Sequence, residues 1–293
     1  MLERVCLEST VPVGQEFKLI GCSNGLLLFG AFSRWKQVFF VCNPFKPGQF
    51  ILRQPDKPGY LCGIYFHPLT KDYRVLYVSE INNDTEYLVL SLHTLQWRKL
   101  CYFAHWPKQK VAPISIGGLV HWMVEHKPVI MTFTIKTEEF NARPHPGTMC
   151  HLHPMPDMQL LQMGSCLAFC NLCCGKIGIW VLEDYINWVW VSRYVVDLEW
   201  DLKCYPFAPG NEINNDIKLV TIENGDLVLF WAYRGLFRYN LQLKTIRKIP
   251  IGVSKLDIQS TNSLLMTSYT KSFVTLRLRN FASFHDIERF RKI

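Results

Sequence analysis

Hydrophobic residues fall in paired runs of strand length, and each pair is split by a short polar segment and followed by a tight turn. The first pair covers residues 24–29 and 38–41 and ends at Asn43-Pro44. The later pairs are 73–78 with 87–92, 118–124 with 129–133, 166–169 with 177–182, 226–231 with 236–239, and 263–267 with 273–278. A repeat at roughly 40–50 residues is typical of supersecondary units that stack or form a ring. The pattern predicts an all-β, β-propeller-like ring of about six small antiparallel sheets, with almost no helix.

The connections between the runs predict the strand directions. Turn-forming residues such as Asn43-Pro44 and Asn224-Gly225 occur where hairpins need them, so neighbouring strands should be antiparallel. If each pair supplies the two middle strands of one sheet, the segments inside the pairs all emerge on one face. We expect longer loops on that face, at residues 31–37, 79–86, 125–127, 171–176, 232–234 and 269–271, and tighter turns on the opposite face.

Composition favours one well-buried domain outside the secretory pathway. The chain has 293 residues, and 49% of them are hydrophobic, which is enough for a large core. Its longest apolar stretches are far shorter than the roughly 18–20 residues that cross a membrane. The N-terminus lacks the apolar segment of a secretory signal. We therefore expect an intracellular protein, cytoplasmic or nuclear, without a membrane partner.

Three segments are predicted along the chain. Residues 1–16 form an N-terminal segment, and we expect residues 5–10 to close the ring by completing the last sheet, whose fourth strand is otherwise missing. Residues 17–280 form the β-propeller-like domain. Residues 281–293 form a basic C-terminal tail.

The eleven cysteines suggest free thiols rather than disulfides or a metal site. Their number is odd and most are scattered through strand-like runs, where a thiol behaves as a small hydrophobe. Cys170-x-x-Cys173 has the spacing of a zinc ligand pair, but the upstream Cys150-His151-x-His153 is a loose second pair in a proline-rich stretch. We expect no metal and no cofactor.

The net charge of +8 is concentrated in two segments, residues 34–57 and residues 271–292. Such patches attract an acidic partner and accelerate encounter. No recognition helix, zinc finger or stacking aromatic motif accompanies them, so we expect solvated loops and a basic tail rather than a nucleic-acid site.

Several motifs occur in the order and spacing of one known family. They are Gly21-x-x-Asn24-Gly25-Leu26 before the Asn43-Pro44 turn, Asp72-Tyr73-Arg74-Val75, Ser91-Leu92 before Trp97-Arg98, Gly118-x-x-His121-Trp122, Phe133 before Glu138-Glu139-Phe140, and Ile179-Trp180-Val181-Leu182 before Trp188. On these residues, positions 17–278 resemble the plant F-box-associated domain.

The resemblance implies a propeller-like all-β module that recognises protein substrates. In that family, the module follows an N-terminal F-box that docks onto a cullin-based (SCF-type) ubiquitin ligase. Only sixteen residues precede Phe17, too few for an F-box. We therefore expect a substrate-binding module that reaches a ligase adaptor only if an F-box is supplied elsewhere.

Candidate binding residues are aromatic and cationic side chains in predicted loops. Trp35 lies between Arg34 and Lys36, and Trp106 has polar and proline neighbours; exposed aromatic and arginine side chains are common at binding hot spots. The predicted loop face adds His126, Tyr233 and Arg234. Trp97, Trp122, Trp180 and Trp188 lie in or beside strands, where large aromatic side chains pack between sheets.

Three segments resemble catalytic motifs, and each fits a structural role better. Residues 21–25 fit the Gly-x-Ser-x-Gly elbow of hydrolases, but a second strand rather than a helix follows Ser23, so a hairpin is expected. Glu138-Glu139 and Glu183-Asp184 could supply glycosidase carboxylates, but both pairs lie near predicted tight turns. We expect a non-enzymatic protein; the alternative is a glycan-binding or glycan-processing β-propeller.

Overall fold

The computed structural model describes most of the chain. The described residues are 16–32, 37–46, 49–81, 84–108, 111–125, 127–147, 157–173, 176–197, 217–231 and 235–250. They contain strands and turns and no helix. Accordingly, they include no helix that is long and apolar enough to cross a membrane.

In the described residues, twenty strands form five four-stranded antiparallel groups, here called blades 1 to 5. Blade 1 comprises β1 (Glu16–Ser23), β2 (Leu26–Phe32), β3 (Gln37–Cys42) and β4 (Gln49–Leu52). Blade 2 comprises β5 (Gly59–His67), β6 (Asp72–Ile81), β7 (Asp84–Ser91) and β8 (Trp97–Tyr102). Blade 3 comprises β9 (Ile114–Ile116), β10 (Leu119–Met123), β11 (Val129–Thr134) and β12 (Glu139–Pro144).

Blades 4 and 5 are joined. Blade 4 comprises β13 (Asp157–Met163), β14 (Cys166–Cys173), β15 (Lys176–Asp184) and β16 (Val189–Asp197). Blade 5 comprises β17 (Ile217–Glu223), β18 (Asp226–Trp231), β19 (Gly235–Asn240) and β20 (Thr245–Ile249). A parallel pairing of Met163 with Ile222 connects β13 to β17, so these two blades form one eight-stranded sheet.

The paired hydrophobic runs are the two middle strands of each blade, as the sequence predicts. Five of the six predicted pairs lie in described residues, and they correspond to β2–β3, β6–β7, β10–β11, β14–β15 and β18–β19. The sixth pair, the strand expected at residues 5–10 and the tail at 281–293 lie outside the described residues.

Tight turns join the first strand of each blade to the second. Asn24 and Gly25 link β1 to β2 with φ of 43° and 80°, and Asn224 and Gly225 link β17 to β18 with φ of 52° and 79°. Two-residue hairpins with positive φ at both positions favour asparagine and glycine, which tolerate the left-handed region. Ser23 therefore ends a strand within an antiparallel hairpin, and residues 21–25 do not form a hydrolase elbow.

Two of the longer loops predicted between middle strands are not loops. Ile81 pairs with Asp84, and Cys173 pairs with Lys176, so strands occupy most of residues 79–86 and 171–176. The prediction treated polar residues as loop residues. Instead, polar side chains such as Glu86 lie in ladder positions of long hairpins, where backbone pairing rather than hydrophobicity extends the strand.

The chain divides into two compact units. Unit 1 contains residues 1–112, 135–138 and 269–293, and unit 2 contains residues 113–134 and 139–268. The core of unit 1 includes Leu26, Leu28, Phe39, Val75 and Tyr77, all buried. The cores of unit 2 include Leu167, Phe169, Ile179, Leu227 and Leu229, also buried.

The cysteines of the described strands are free thiols. Cys42 and Cys170 are buried, and burial raises the pKa of their thiols to about 11 and about 12. Cys170 and Cys173, the pair with zinc-like spacing, lie in β14. Cys150, His151 and His153, their proposed partners, lie outside the described residues, so the expectation of no metal stays a prediction.

Candidate functional site

Of the six predicted binding residues, the structure describes Trp106. Arg34, Trp35, His126, Tyr233 and Arg234 lie outside the described residues, and their predicted roles stay predictions. Trp106 follows β8 in a segment that lies at the end of blade 2 where the β6–β7 hairpin closes.

Three hydrogen bonds fix this segment against the blade. The backbone N–H of Phe103 donates to the carbonyl oxygen of Thr85 over 3.0 Å. The hydroxyl of Tyr87 donates to the carbonyl oxygen of His105, and that of Tyr60 donates to the carbonyl oxygen of Pro107, each over 2.6 Å. These bonds hold residues 103–108 against strands β5 and β7, although residues 103–108 do not themselves form an extended strand.

Trp106 packs against Tyr60 in this segment. The ring centroids lie 5.2 Å apart with an interplanar angle of 66°, an edge-to-face arrangement that aromatic pairs favour. The indole is half-buried, so one part of it rests on the blade and the other part meets solvent. The sequence identified Trp106 but gave no sign that Tyr60 would lie under it.

Strand register brings a second group of residues to the same end. Gly59, Ser79, Glu86 and Tyr102 are paired in one row across the four strands of blade 2. A Cβ on Gly59 would lie 2.2 Å from the carbonyl oxygen of Val78, so only glycine fits at this point of the row. The row places the carboxylate of Glu86 within the sheet, with Tyr102 on the outer strand.

Glu86 is a buried carboxylate held by two lysines. Only 2% of the residue is exposed, and its oxygens lie 2.6 Å from the ammonium nitrogen of Lys57 and 3.3 Å from that of Lys99. The hydrogen bond from Lys57 lowers the pKa of Glu86; burial opposes this shift, and the hydrogen bond from Lys99 adds to it. Glu86 is therefore ionised at neutral pH and fixes both ammonium groups.

The lysines meet solvent beside an exposed aromatic ring. Lys57 and Lys99 are each about half exposed. The ammonium nitrogen of Lys99 lies 3.6 Å from the ring centroid of Tyr102, a residue that is 56% exposed, in a cation–π arrangement. We call Lys57, Tyr60, Glu86, Lys99, Tyr102 and Trp106 together the aromatic–lysine cluster.

Glu138, one of the carboxylates that the sequence marked for possible glycosidase chemistry, is engaged in other contacts. Glu138 accepts hydrogen bonds from the hydroxyl of Tyr65, over 2.6 Å, and from the guanidinium groups of Arg74 and Arg98. Burial alone would raise the pKa of Glu138, but these hydrogen bonds lower it on balance. The carboxyl group is thus an ionised hydrogen-bond acceptor within unit 1.

The second pair of carboxylates stabilises a turn and an ion pair. Asp184 accepts the backbone N–H groups of Ile186 and Asn187 over 2.8 and 3.0 Å, which closes the β15–β16 turn. Glu183 pairs with Arg193 of β16. Both residues therefore have local structural roles.

Comparison with known proteins identifies the family. The family model described as F-box associated beta propeller domain matches residues 5–275. This match, together with the five antiparallel blades, confirms the predicted all-β propeller fold class and the resemblance inferred from the motifs. No curated protein matches the chain.

Similar solved structures have low sequence identity. A crystal structure of a nidogen/laminin complex matches with a TM-score of 0.48 and 10% identity, covering 85% of this chain and 83% of that one. TolB from Acinetobacter baumannii matches with a TM-score of 0.42 and 10% identity, covering 79% and 53%. The beta-propeller domain of the Trilobed protease from Pyrococcus furiosus matches with a TM-score of 0.41 and 9% identity, covering 82% and 72%.

Proposed function

The chain belongs to the family of F-box associated beta-propeller domains, and from this premise we propose that it is a non-enzymatic module that binds a protein substrate. The aromatic–lysine cluster of blade 2 is the observation that carries the proposal beyond family membership. It combines exposed aromatic surface, two cations and a rigid base at one end of a four-stranded sheet.

The physical design of the cluster suits protein recognition. Aromatic and cationic side chains contribute most at protein interfaces, where they anchor a partner in a desolvated centre. Glu86 holds both ammonium groups in place, so Lys57 and Lys99 lose less conformational entropy on binding than free lysines would. Two lysines against one glutamate leave a net charge of +1, which favours an acidic surface on the partner.

A binding role also accounts for the carboxylates better than catalysis does. A glycosidase needs a carboxylic acid and a carboxylate facing each other across a substrate cleft. Glu138 is bound by Tyr65 and two arginines, and Asp184 holds backbone amides of its own turn. Neither is poised to exchange a proton with a substrate.

In the family context, the bound protein would be presented to a cullin-based ubiquitin ligase. Attachment would run through an F-box, supplied by a partner protein if it is not carried by this chain. With this role, we expect the protein to act in the cytoplasm or nucleus, where such ligases and their substrates meet.

Differential affinity capture tests the proposal. The purified chain and a Lys99→Ala/Tyr102→Ala variant would be immobilised and exposed to an extract of native tissue, and retained proteins would be quantified by mass spectrometry. An Arg193→Ala/Val195→Ala variant serves as the matched control, since it removes an exposed cation and an exposed apolar side chain from β16. Thermal unfolding of each variant confirms that the fold is intact.

We expect one set of proteins to be retained by the wild type and the control and lost from the cluster variant. Ligase adaptors are scored separately, because they report attachment rather than substrate binding. Identical protein sets for all three chains would contradict the role of the cluster. Turnover of a glycan by the purified wild type would contradict the non-enzymatic function.

A further inference from the structure

The β19–β20 hairpin of blade 5 is strongly basic. Residues 235–249 contain Arg238, Lys244, Arg247 and Lys248 and no acidic residue. All four side chains belong to exposed residues. In the overall charge count, acidic residues elsewhere in the chain balance the charge of this segment, so the sequence does not reveal it.

Two of the cations face each other across the hairpin. Arg238 of β19 is paired directly with Arg247 of β20, and like charges in directly opposed positions destabilise a sheet. The carboxylate of Asp226 lies 3.6 Å from the guanidinium of Arg238. Four cations against this one carboxylate leave a net charge of +3.

Two other outer strands of the described residues, β8 and β16, pair cations with carboxylates, and β20 does not. On β8, Arg98 pairs with Glu138 and Lys99 pairs with Glu86. On β16, Arg193 pairs with Glu183. Within the described part of the chain, Lys244, Arg247 and Lys248 form no ion pair with a carboxylate. The positive charge of β20 is therefore not compensated by carboxylates, unlike the positive charge of β8 and β16.

The hairpin is nevertheless firmly attached to its sheet. Ile246 packs against the main core of unit 2, and Ile249 packs against a smaller cluster around Phe230. The ammonium nitrogen of Lys248 lies 5.9 Å from the ring centroid of Phe237. The cations are thus displayed from an ordered strand, which keeps the entropy lost on binding small.

The geometry of β20 offers backbone groups as well as charge. β20 is the last strand in the order of the eight-stranded sheet, and no strand in the described residues pairs with its outer side. An extended peptide can add to such an edge through main-chain hydrogen bonds, while its side chains supply specificity. At the turn, Leu243 is 74% exposed beside Lys244 and adds an apolar contact.

We propose that the β19–β20 hairpin binds an extended acidic segment of a partner protein, with Arg247, Lys248 and Lys244 contacting its carboxylates. The proposal rests on the proposed function, since it names the chemistry of a partner that the module would recognise. The same positive charge repels the equally basic hairpin of a second copy, so the edge accepts an acidic strand and rejects self-association.

The hairpin favours a peptide over a nucleic acid. Single-stranded nucleic acids are held by cations together with exposed aromatic rings on which bases stack. The two aromatic residues of this hairpin, Phe237 and Tyr239, are both buried in the sheet. A nucleic acid also cannot use the backbone N–H and C=O groups of a strand edge as a peptide does.

Fluorescence anisotropy with defined probes tests the proposal. The labelled probes are a Glu–Val peptide that carries Glu on both faces of the extended chain, its Gln–Val counterpart, and a single-stranded oligonucleotide of equal charge. The test variant is Arg247→Glu/Lys248→Glu. Its matched control is Lys176→Glu/Arg193→Glu, which changes the net charge equally on exposed positions of blade 4.

We expect the wild type to bind the Glu–Val peptide and not the Gln–Val peptide. The hairpin variant should bind the acidic peptide at least about tenfold more weakly, because attraction is replaced by like-charge repulsion, whereas the control should change less than about twofold. The milder Arg247→Gln/Lys248→Gln variant should show an intermediate loss, which separates lost charge from any disturbance of the strand.

Three results would overturn the proposal: equal affinity of wild type and hairpin variant, equal weakening in the control, or tighter binding of the oligonucleotide than of the peptide. None of them decides the proposed function, because that function is judged by protein capture through the aromatic–lysine cluster.

Discussion

His121 shows how a polar residue is accommodated in the core of unit 2. It is fully buried in β10, its Nδ1 donates to the carbonyl oxygen of Ile114 over 3.0 Å, and its Nε2 accepts the hydroxyl of Tyr185 over 3.2 Å. Burial lowers the pKa of the imidazole to about 4, although the hydrogen bond to Ile114 opposes that shift. The ring is neutral in the folded protein at neutral pH.

We predict that His121 makes unfolding easier in weak acid. Because the pKa of His121 is lower in the folded state than its ordinary value of about 6.5, the unfolded chain binds more protons as the pH falls from 6.5 towards 4. This group alone should therefore lower the free energy of unfolding at pH 5 by on the order of 2 kcal/mol relative to pH 7. Urea unfolding of the wild type at both pH values measures the loss.

The His121→Gln variant is the control for this prediction. Glutamine keeps polar atoms at the site but does not titrate, so the variant should lose less stability than the wild type between pH 7 and pH 5, even if it is less stable at both. An equal loss in the two proteins would assign the acid sensitivity to other groups.

The part of the candidate site that the sequence does not predict is also a buried polar residue, Glu86. The neighbours of Trp106 in the sequence mark it as a candidate, whereas the polar residues around Glu86 predict a loop. Its strand position and its contact with Lys99 follow from the cross-strand register of β7 with β8, whereas Lys57 lies in the segment before β5. The turn-forming residues Asn82-Asn83-Asp84 were the available signal for a longer strand, since they place the hairpin turn just before Thr85.

At the scale of the strands, hydrophobic runs predict the middle of each blade better than its edge. The second strand of each blade is packed on both faces and is a continuous apolar run in the sequence, so hydrophobicity predicts it. These strands are β2, β6, β10, β14 and β18. Outer strands such as β8 and β20 are half-exposed and carry cations. Backbone pairing to a neighbouring strand holds them in place. The hydrophobic pattern of the sequence does not predict this pairing.

The turns between first and second strands allow a prediction about one glycine. Gly117 in the β9–β10 turn has φ of 60°, and asparagine occupies the equivalent first turn position in blades 1 and 5. A Cβ at Gly117 would meet no atom within 4 Å. Gly117→Asn should therefore raise the free energy of unfolding by about 0.5 kcal/mol, because it restricts the unfolded chain and tolerates the left-handed conformation.

Alanine at the same position separates conformation from packing. Gly117→Ala restricts the unfolded chain similarly but disfavours positive φ, so it should lower the free energy of unfolding by about 1 kcal/mol. Urea unfolding midpoints of the wild type and both variants give the comparison. If Gly117→Asn and Gly117→Ala lower the free energy of unfolding equally, this turn tolerates only glycine.

At the scale of the whole molecule, the chain path links the two units. Residues 135–138 belong to unit 1, whereas the strands on either side of them, β11 and β12, belong to unit 2. Glu138 in this turn holds Tyr65, Arg74 and Arg98 of unit 1 together. If β11 and β12 unfold, the turn between them is released and unit 1 loses a carboxylate that three of its side chains share.

We therefore predict that the two units unfold together, and buried thiols can report it. Cys62 lies in unit 1 and Cys170 in unit 2, and burial raises the pKa of both, so they should react with an alkylating agent only after unfolding. Pulsed alkylation across a urea gradient, read by mass spectrometry, should give one midpoint for both thiols. Cys42, buried in unit 1, should follow Cys62 and serves as the internal control.

Replacing Glu138 should separate the two midpoints. In Glu138→Ala, the arginines of unit 1 lose their shared partner, so Cys62 and Cys42 should become reactive at lower urea than in the wild type, while Cys170 shifts less. This result would show that the common unfolding midpoint of the two units depends on the four-residue turn 135–138. Two separate midpoints already in the wild type would contradict cooperative unfolding, and a parallel shift of all three thiols in the variant would contradict the assigned role of Glu138.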